Sequence, residues 1–160
     1  LQPYESTHGL IYGIIRKGAA RFMTILVIDG QGGGLGRQII AALKSDCPNH
    51  PVHAVGSSSA ATAAMLRAGA DTAATGENAV LVGCRKADII VGPIGIVIAD
   101  SMYGEITPAM AAAVGQSSAK RVLIPMNLCD NTIIGVLEQP VGQMVQSAVR
   151  AVAQLLHERP

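Results

Sequence analysis

Aromatic residues are nearly missing from this chain: three tyrosines, one phenylalanine and no tryptophan in 160 residues. That excludes the stacking platforms on which single-stranded nucleic acid is held. Charge is also sparse, at 14% of residues with a net charge of +1 and no Lys/Arg run, which excludes a duplex-binding face. Three cysteines, an odd number without CxxC spacing, suit a reducing cytoplasm better than a disulfide framework. His8, His50, His53 and His157 are scattered without metal-ligand spacing, so no metal site is expected. No uninterrupted apolar stretch approaches the roughly 20 residues of a membrane helix, and no membrane partner is expected.

What the chain has is apolar bulk, 49% of residues, drawn from Ile, Val, Leu, Ala and Met. Its length suits one domain, expected over residues 23–160. Residues 1–22 differ: they carry Arg16, Lys17 and Arg21 against one acid, Glu5, and Met23 stands where an initiator would. Without them 9 basic and 10 acidic residues remain, a net charge of −1. The segment reads as a poorly ordered extension, with a short membrane-surface or partner-binding helix as the sharper alternative.

Apolar runs and turn signals order the rest. Ile25–Ile28 is a strand buried on both faces, followed by five glycines between Gly30 and Gly36 and by helical spacing at Leu35, Ile39, Ile40 and Leu43. Val52–Val55 reads as a second strand, then a serine-capped helix over Ala60–Ala68 closed by Gly69. Asp71–Ala74 supplies a short third strand. Ala79–Ala87 reads as helix, with Ala79–Val82 equally fit for a strand. Asp88–Val91 is a buried strand, Thr107-Pro108 opens a helix over Ala109–Val114, and Arg121–Pro125 and Thr132–Leu137 are further strands. An amphipathic helix over Val141–His157 ends the chain. The fold class expected is α/β, a three-layer Rossmann-like sandwich with a mainly parallel sheet of five or six strands. The first strand should lie between the second and fourth.

Strand, glycine turn and helix are the opening of a nucleotide-binding unit. A turn without side chains lets backbone N–H groups approach a phosphate, and the helix N-terminus adds partial positive charge. The candidate binding residues are Gly30, Gln31, Gly32, Gly33, Gly34, Leu35, Gly36 and Arg37, joined by Ser57, Ser58, Gly92, Pro93 and Gly95. The expected ligand is small and phosphate-bearing, NAD(P) or another nucleotide. Two features oppose a plain dinucleotide site. Asp29 ends the first strand, where its carboxylate would repel phosphate unless hydrogen bonds or a metal intervene. No Asp or Glu occurs between Cys47 and Ala70, where an NAD ribose usually finds one. Ser57, Ser58 and Ser59 stand there instead, suited to a 2′-phosphate, to a ligand that is not a dinucleotide, or only to a helix cap.

The continuation Gly34-Leu-Gly36-Arg37-Gln-Ile39 looks like the turn of short-chain dehydrogenases. Their Tyr-x-x-x-Lys pair is absent, since Tyr103 is followed four residues on by Thr107. From Met23 to about Val136 the chain resembles an uncharacterised bacterial family, the domain of unknown function DUF3842. The likeness rests on Ile28–Gly34, Ala68–Asp71, Ala74–Ala79, Ala87–Asp100, Gly104–Met110 and Ile124–Asn127, and it implies no activity.

Glu77, Asn78, Asp100, Tyr103, Glu105, Asn127, Asp130 and Asn131 are the polar residues expected beyond strand ends. Asp100 and Glu105 suit acid–base work, though helix capping fits them better. Cys84 and Cys129 read as buried hydrophobes, with Cys129 the better functional candidate. Two functions stay open: a nucleotide-binding sensor or regulator, and a small NAD(P)-dependent oxidoreductase with its substrate against Gly92–Glu105. A homodimer is expected, with Ile94–Tyr103 at or near its interface, because an apolar loop of that length would otherwise form an exposed patch. The alternative is that Ile96–Ala99 starts a helix folded back under the Thr107 helix and buried within one subunit.

Overall fold

The computed structural model describes residues 22–126 and 131–158. Five strands, β1 (Ile25–Asp29), β2 (Val52–Gly56), β3 (Thr72–Thr75), β4 (Ile89–Pro93) and β5 (Lys120–Ile124), form one parallel sheet in the order β3-β2-β1-β4-β5. β1 pairs with β2 from Ile25 against Val52, and with β4 from Ile25 against Ile89. Both pairings are parallel, and β1 lies between β2 and β4, a central position that its uninterrupted apolar run suits. The helices are α1 (Gly34–Asp46), α2 (Ser59–Arg67), α3 (Glu77–Lys86), α4 (Pro108–Gln116) and α5 (Val141–His157).

Two cores follow from strand alternation. Ile25 and Val27 of β1 and Ile89 and Val91 of β4 face α1, α2 and α5, where Ile39, Ile40, Leu43, Met65, Val149 and Val152 meet them. Leu26, Ile28 and Ile90 face α3 and α4, against Val80, Met110 and Val114. The result is the three-layer α/β sandwich. Local signals set the helix starts. The Ser58 hydroxyl accepts the Ala61 N–H to cap α2, and Thr107, followed by Pro108 in the first turn, accepts the Met110 N–H to cap α4. Glu77–Lys86 is helical, which settles the ambiguous Ala79–Val82 run.

Two expectations are corrected. Thr132–Leu137 is not a strand: Ile134 and Gly135 form a turn, Gly135 has φ +86°, and Ile134 and Leu137 are 89% and 77% exposed. A glycine in the left-handed region breaks the extended run before it can pair. The Ile94–Tyr103 segment is also not an open apolar patch. A 3₁₀ turn, Ile94–Val97, folds it back against α4 and buries Ile96 and Met102 in the second core, leaving Tyr103 outside. The candidates Asn127, Cys129 and Asp130, like residues 1–21, lie outside the described residues.

Candidate functional site

The chain runs from β1 outward to β2 and β3 on one side and to β4 and β5 on the other. Between β1 and β4 the direction of winding reverses, and the turns leaving their C-terminal ends diverge to open a crevice. A cleft of about 170 Å³ lies there. One wall is Asp29 to Leu35; the other is Pro93, Ile94, Gly95, Ile98 and Met102, with Met126 and Asn131 at the edge. The strands reach this close because residue 92 is glycine: a Cβ there would stand 2.4 Å from the Ile28 carbonyl oxygen.

The glycine wall is built around a carboxylate. Asp29 is buried, and its two oxygens accept the Gly30 N–H at 2.8 Å and the Gly36 N–H at 2.6 Å. The turn is closed by the Gly33 N–H on the Gly30 carbonyl at 2.9 Å, with Gln31 and Gly33 both at positive φ. Burial pushes the Asp29 carboxyl above its ordinary 3.8, the amides of Gly36 and Gly30 pull it down, and the Glu105 charge adds to the rise. Asp29 is therefore a scaffold for the loop, and hydrogen bonds are what make a carboxylate tolerable at this strand end.

A raised carboxyl has a definite pH signature. The native chain holds a proton that the unfolded chain has released, so Asp29's contribution to stability is greatest below pH 3.8 and falls as pH rises through its folded pKa. Asp71 has the opposite sign: the Val52 N–H and the Lys44 ammonium hold its carboxyl low, so its contribution is lost as pH falls. Asp29→Asn should remove the first slope and keep the second. The wild-type urea midpoint minus that of the variant should therefore fall as pH rises from 3.8; a difference independent of pH refutes the assignment.

A second carboxylate closes the loop from the other side. Glu105 Oε2 accepts the Gln31 N–H at 2.7 Å and the Ser57 hydroxyl at 2.5 Å. Ser58 donates to the Gln31 carbonyl at 2.6 Å while capping α2. Glu105 is delivered by a segment in which Asp100, Met102, Tyr103 and Gly104 all have positive φ. That segment is pinned by the Asp100 N–H on the Ile106 carbonyl and by the Ser101 hydroxyl on the Gly95 carbonyl. What remains for a ligand is the Gly32 and Gly34 N–H groups, which find no acceptor among the described residues, and where an added Cβ would meet nothing within 4 Å.

Of the expected residues, Gly30 to Leu35, Pro93 and Gly95 line the cleft. Gly36 and Gly92 sit behind it as packing positions, with a Cβ on Gly36 falling 2.5 Å from Met65 Sδ. Arg37 is exposed and does not line the cleft, and Ser57 and Ser58 are committed to the scaffold. Glu77 accepts the Thr107 hydroxyl, while Asn78, Asp100 and Tyr103 face solvent. Cys84 is buried, its thiol pushed up to about 11 by desolvation, which leaves it unreactive. Ile94, Ile98 and Met102 fall within the Gly92–Glu105 stretch expected to hold a substrate, whereas Met126 is added by the structure, two residues past the end of β5. Among the described residues Asp29 is the one ionisable side chain lining the cleft, and no three or more His, Cys, Asp or Glu gather as a metal group. No described helix is long and apolar enough to cross a membrane.

Fold and cleft together define an α/β protein with a glycine-turn crevice at the reversal point of a parallel sheet. The chain belongs to the family described as Domain of unknown function (DUF3842), whose model matches residues 24–157. No curated protein matches it. Among solved structures it is similar to a dodecameric FMN-dependent Ubix-like decarboxylase from Escherichia coli O157:H7. That pair shares 20% identity over 86% of this chain and 95% of the other, with a TM-score of 0.48. It is also similar to AibC, at 19% identity and a TM-score of 0.43, over 84% of this chain but only 42% of AibC.

Proposed function

We propose that the protein binds a nucleotide in the β1–β4 cleft and acts as a sensor or regulator. The observation that carries this reading is the pair of unengaged N–H groups, Gly32 and Gly34, on a cleft wall at the N-terminus of a 13-residue helix. They and the helix dipole supply the electropositive surface for a phosphate. Ile94, Ile98, Met102 and Met126 supply the apolar bed for the rest of the ligand. The volume is below the roughly 300–1,000 Å³ that engulfs a drug-sized ligand, so part of the nucleotide extends over the rim. Binding is favoured over turnover because, among the described residues, the one ionisable side chain lining the cleft has both oxygens engaged on the loop. Among the described residues no acid–base pair lines the cleft in support of the oxidoreductase reading. A homodimer belongs to the same proposal, with Tyr103, Ile134 and Leu137 the exposed apolar side chains that association would cover.

Gly34→Asp separates binding from folding. The site is open, and an acid in the first turn of a helix is favourable by about 0.3–1 kcal/mol, so the melting temperature should hold or rise. The new charge beside the Gly32 and Gly34 amides should weaken a phosphate ligand at least tenfold. Thermal-shift screening of AMP, FMN, NMN and NAD, followed by titration, is the measurement. A ligand at a hundredfold excess over its dissociation constant adds about 2.7 kcal/mol, several degrees in a melt. The proposal fails if no nucleotide stabilises the protein or if Gly34→Asp binds as well as the parent.

A further inference from the structure

We infer that Glu105 sets the size class of the ligand, admitting a mononucleotide and shutting out the second half of a dinucleotide. The inference rests on the nucleotide reading of the cleft. A dinucleotide laid across a reversal point sends one nucleoside toward the end of β2, where an acidic residue of that strand usually meets the ribose. Here that place holds Ser57, and a carboxylate is already seated on it from 48 residues further along the chain. Glu105 Oε2 takes both the Ser57 hydroxyl and the Gln31 N–H, which are the donors a second phosphate would need.

The packing agrees with the hydrogen bonds. A Cβ on Gly30 would fall 2.6 Å from Ser57 Oγ, 2.6 Å from Met102 Sδ and 2.9 Å from Glu105 Oε2. The β2 side of the loop is therefore filled, whereas Gly32 and Gly34 face open space. Glu105 bridges the rim from the β4–α4 segment to the glycine turn and the end of β2. An ionised carboxylate in that position also repels a diphosphate.

The test compares matched pairs, FMN with FAD and NMN with NAD, by equilibrium titration of the full chain. The wild type should bind the mononucleotide of a pair at least tenfold more tightly than its dinucleotide. Glu105→Ala should narrow that ratio at least fivefold through a gain for the dinucleotide. Glu105→Gln preserves shape and both acceptor contacts while removing the charge. It should narrow the ratio at least twofold, and it carries the test if the alanine variant does not fold. An unchanged ratio overturns the inference. So does a loss of dinucleotide affinity in Glu105→Ala, the result expected if Glu105 instead accepted ribose hydroxyls. If the wild type binds no member of either pair and AMP does not stabilise it, the nucleotide reading itself has failed, a result distinct from either. If AMP alone binds, the inference is overturned and that reading stands.

Discussion

Replacing Gly33 with valine is expected to remove most of the stability of the domain, while Gly34→Ala, one residue on, leaves it intact. Gly33 precedes α1 with φ +68°, a conformation that costs a β-branched residue roughly 1–3 kcal/mol. An added Cβ would also stand 2.7 Å from the Ala61 Cα and 2.8 Å from its carbonyl oxygen. These are backbone atoms of α2. Ala61 is fully buried and its N–H is held by the Ser58 cap, so the helix cannot draw back without losing that cap. Overpacking of this kind adds roughly 1–3 kcal/mol. The two together approach the lower end of the roughly 5–15 kcal/mol that holds a domain folded. Gly34 has helical backbone and empty space around it, so alanine there gains helix propensity and meets nothing. Urea denaturation of both variants is the measurement. A loss below about 1 kcal/mol at Gly33 would mean that the contact between the glycine turn and α2 gives way easily.

The same loop shows what a sequence can reveal and what only folding adds. Runs without alternation at Ile25 and Ile89 announced central parallel strands, and the spacing of Ile39, Ile40 and Leu43 announced the face of α1 that is now fully buried. Thr107-Pro108 and the serines before α2 were readable because a cap is a local hydrogen bond. The Thr132–Leu137 run misled because β-branched composition says nothing about a single left-handed glycine in its middle. The site itself was half legible. Five glycines named one wall of the cleft, but the missing acid at the end of β2 could not be traced to Glu105, whose approach depends on three non-glycine residues at positive φ. Asp29 looked like an obstacle to phosphate because its two amide partners, one of them seven residues away, exist only once the turn has closed.

Ile96 carries the second large prediction, since its apolar run suited an interface and its side chain lies in the core. Its side chain is 1% exposed within the cluster that holds Ile28, Ile90, Met102, Ile106 and Met110. Ile96→Asp forfeits roughly 1.5–3 kcal/mol of burial. It also places a carboxylate where desolvation shifts the pKa by up to about 3–5 units, a cost that levels off near roughly 4 kcal/mol at neutral pH, where the carboxyl takes up a proton instead. The sum rivals the whole stability of a domain. At pH 7 the variant should show no cooperative melt. The folded pKa of the new carboxyl is raised, so the damage should be least below about pH 3.9 and grow as pH rises. Tyr103 is 99% exposed and makes the opposite control. Tyr103→Ser should melt like the wild type, and in the proposed homodimer it should lower the mass seen by light scattering at micromolar concentration, more so when combined with Leu137→Ser. A wild type that scatters as a monomer ends the homodimer proposal and leaves the core assignment standing. Ile96→Asp appearing as a folded, soluble monomer from a wild-type dimer would reverse that outcome, moving the segment from the core to the interface.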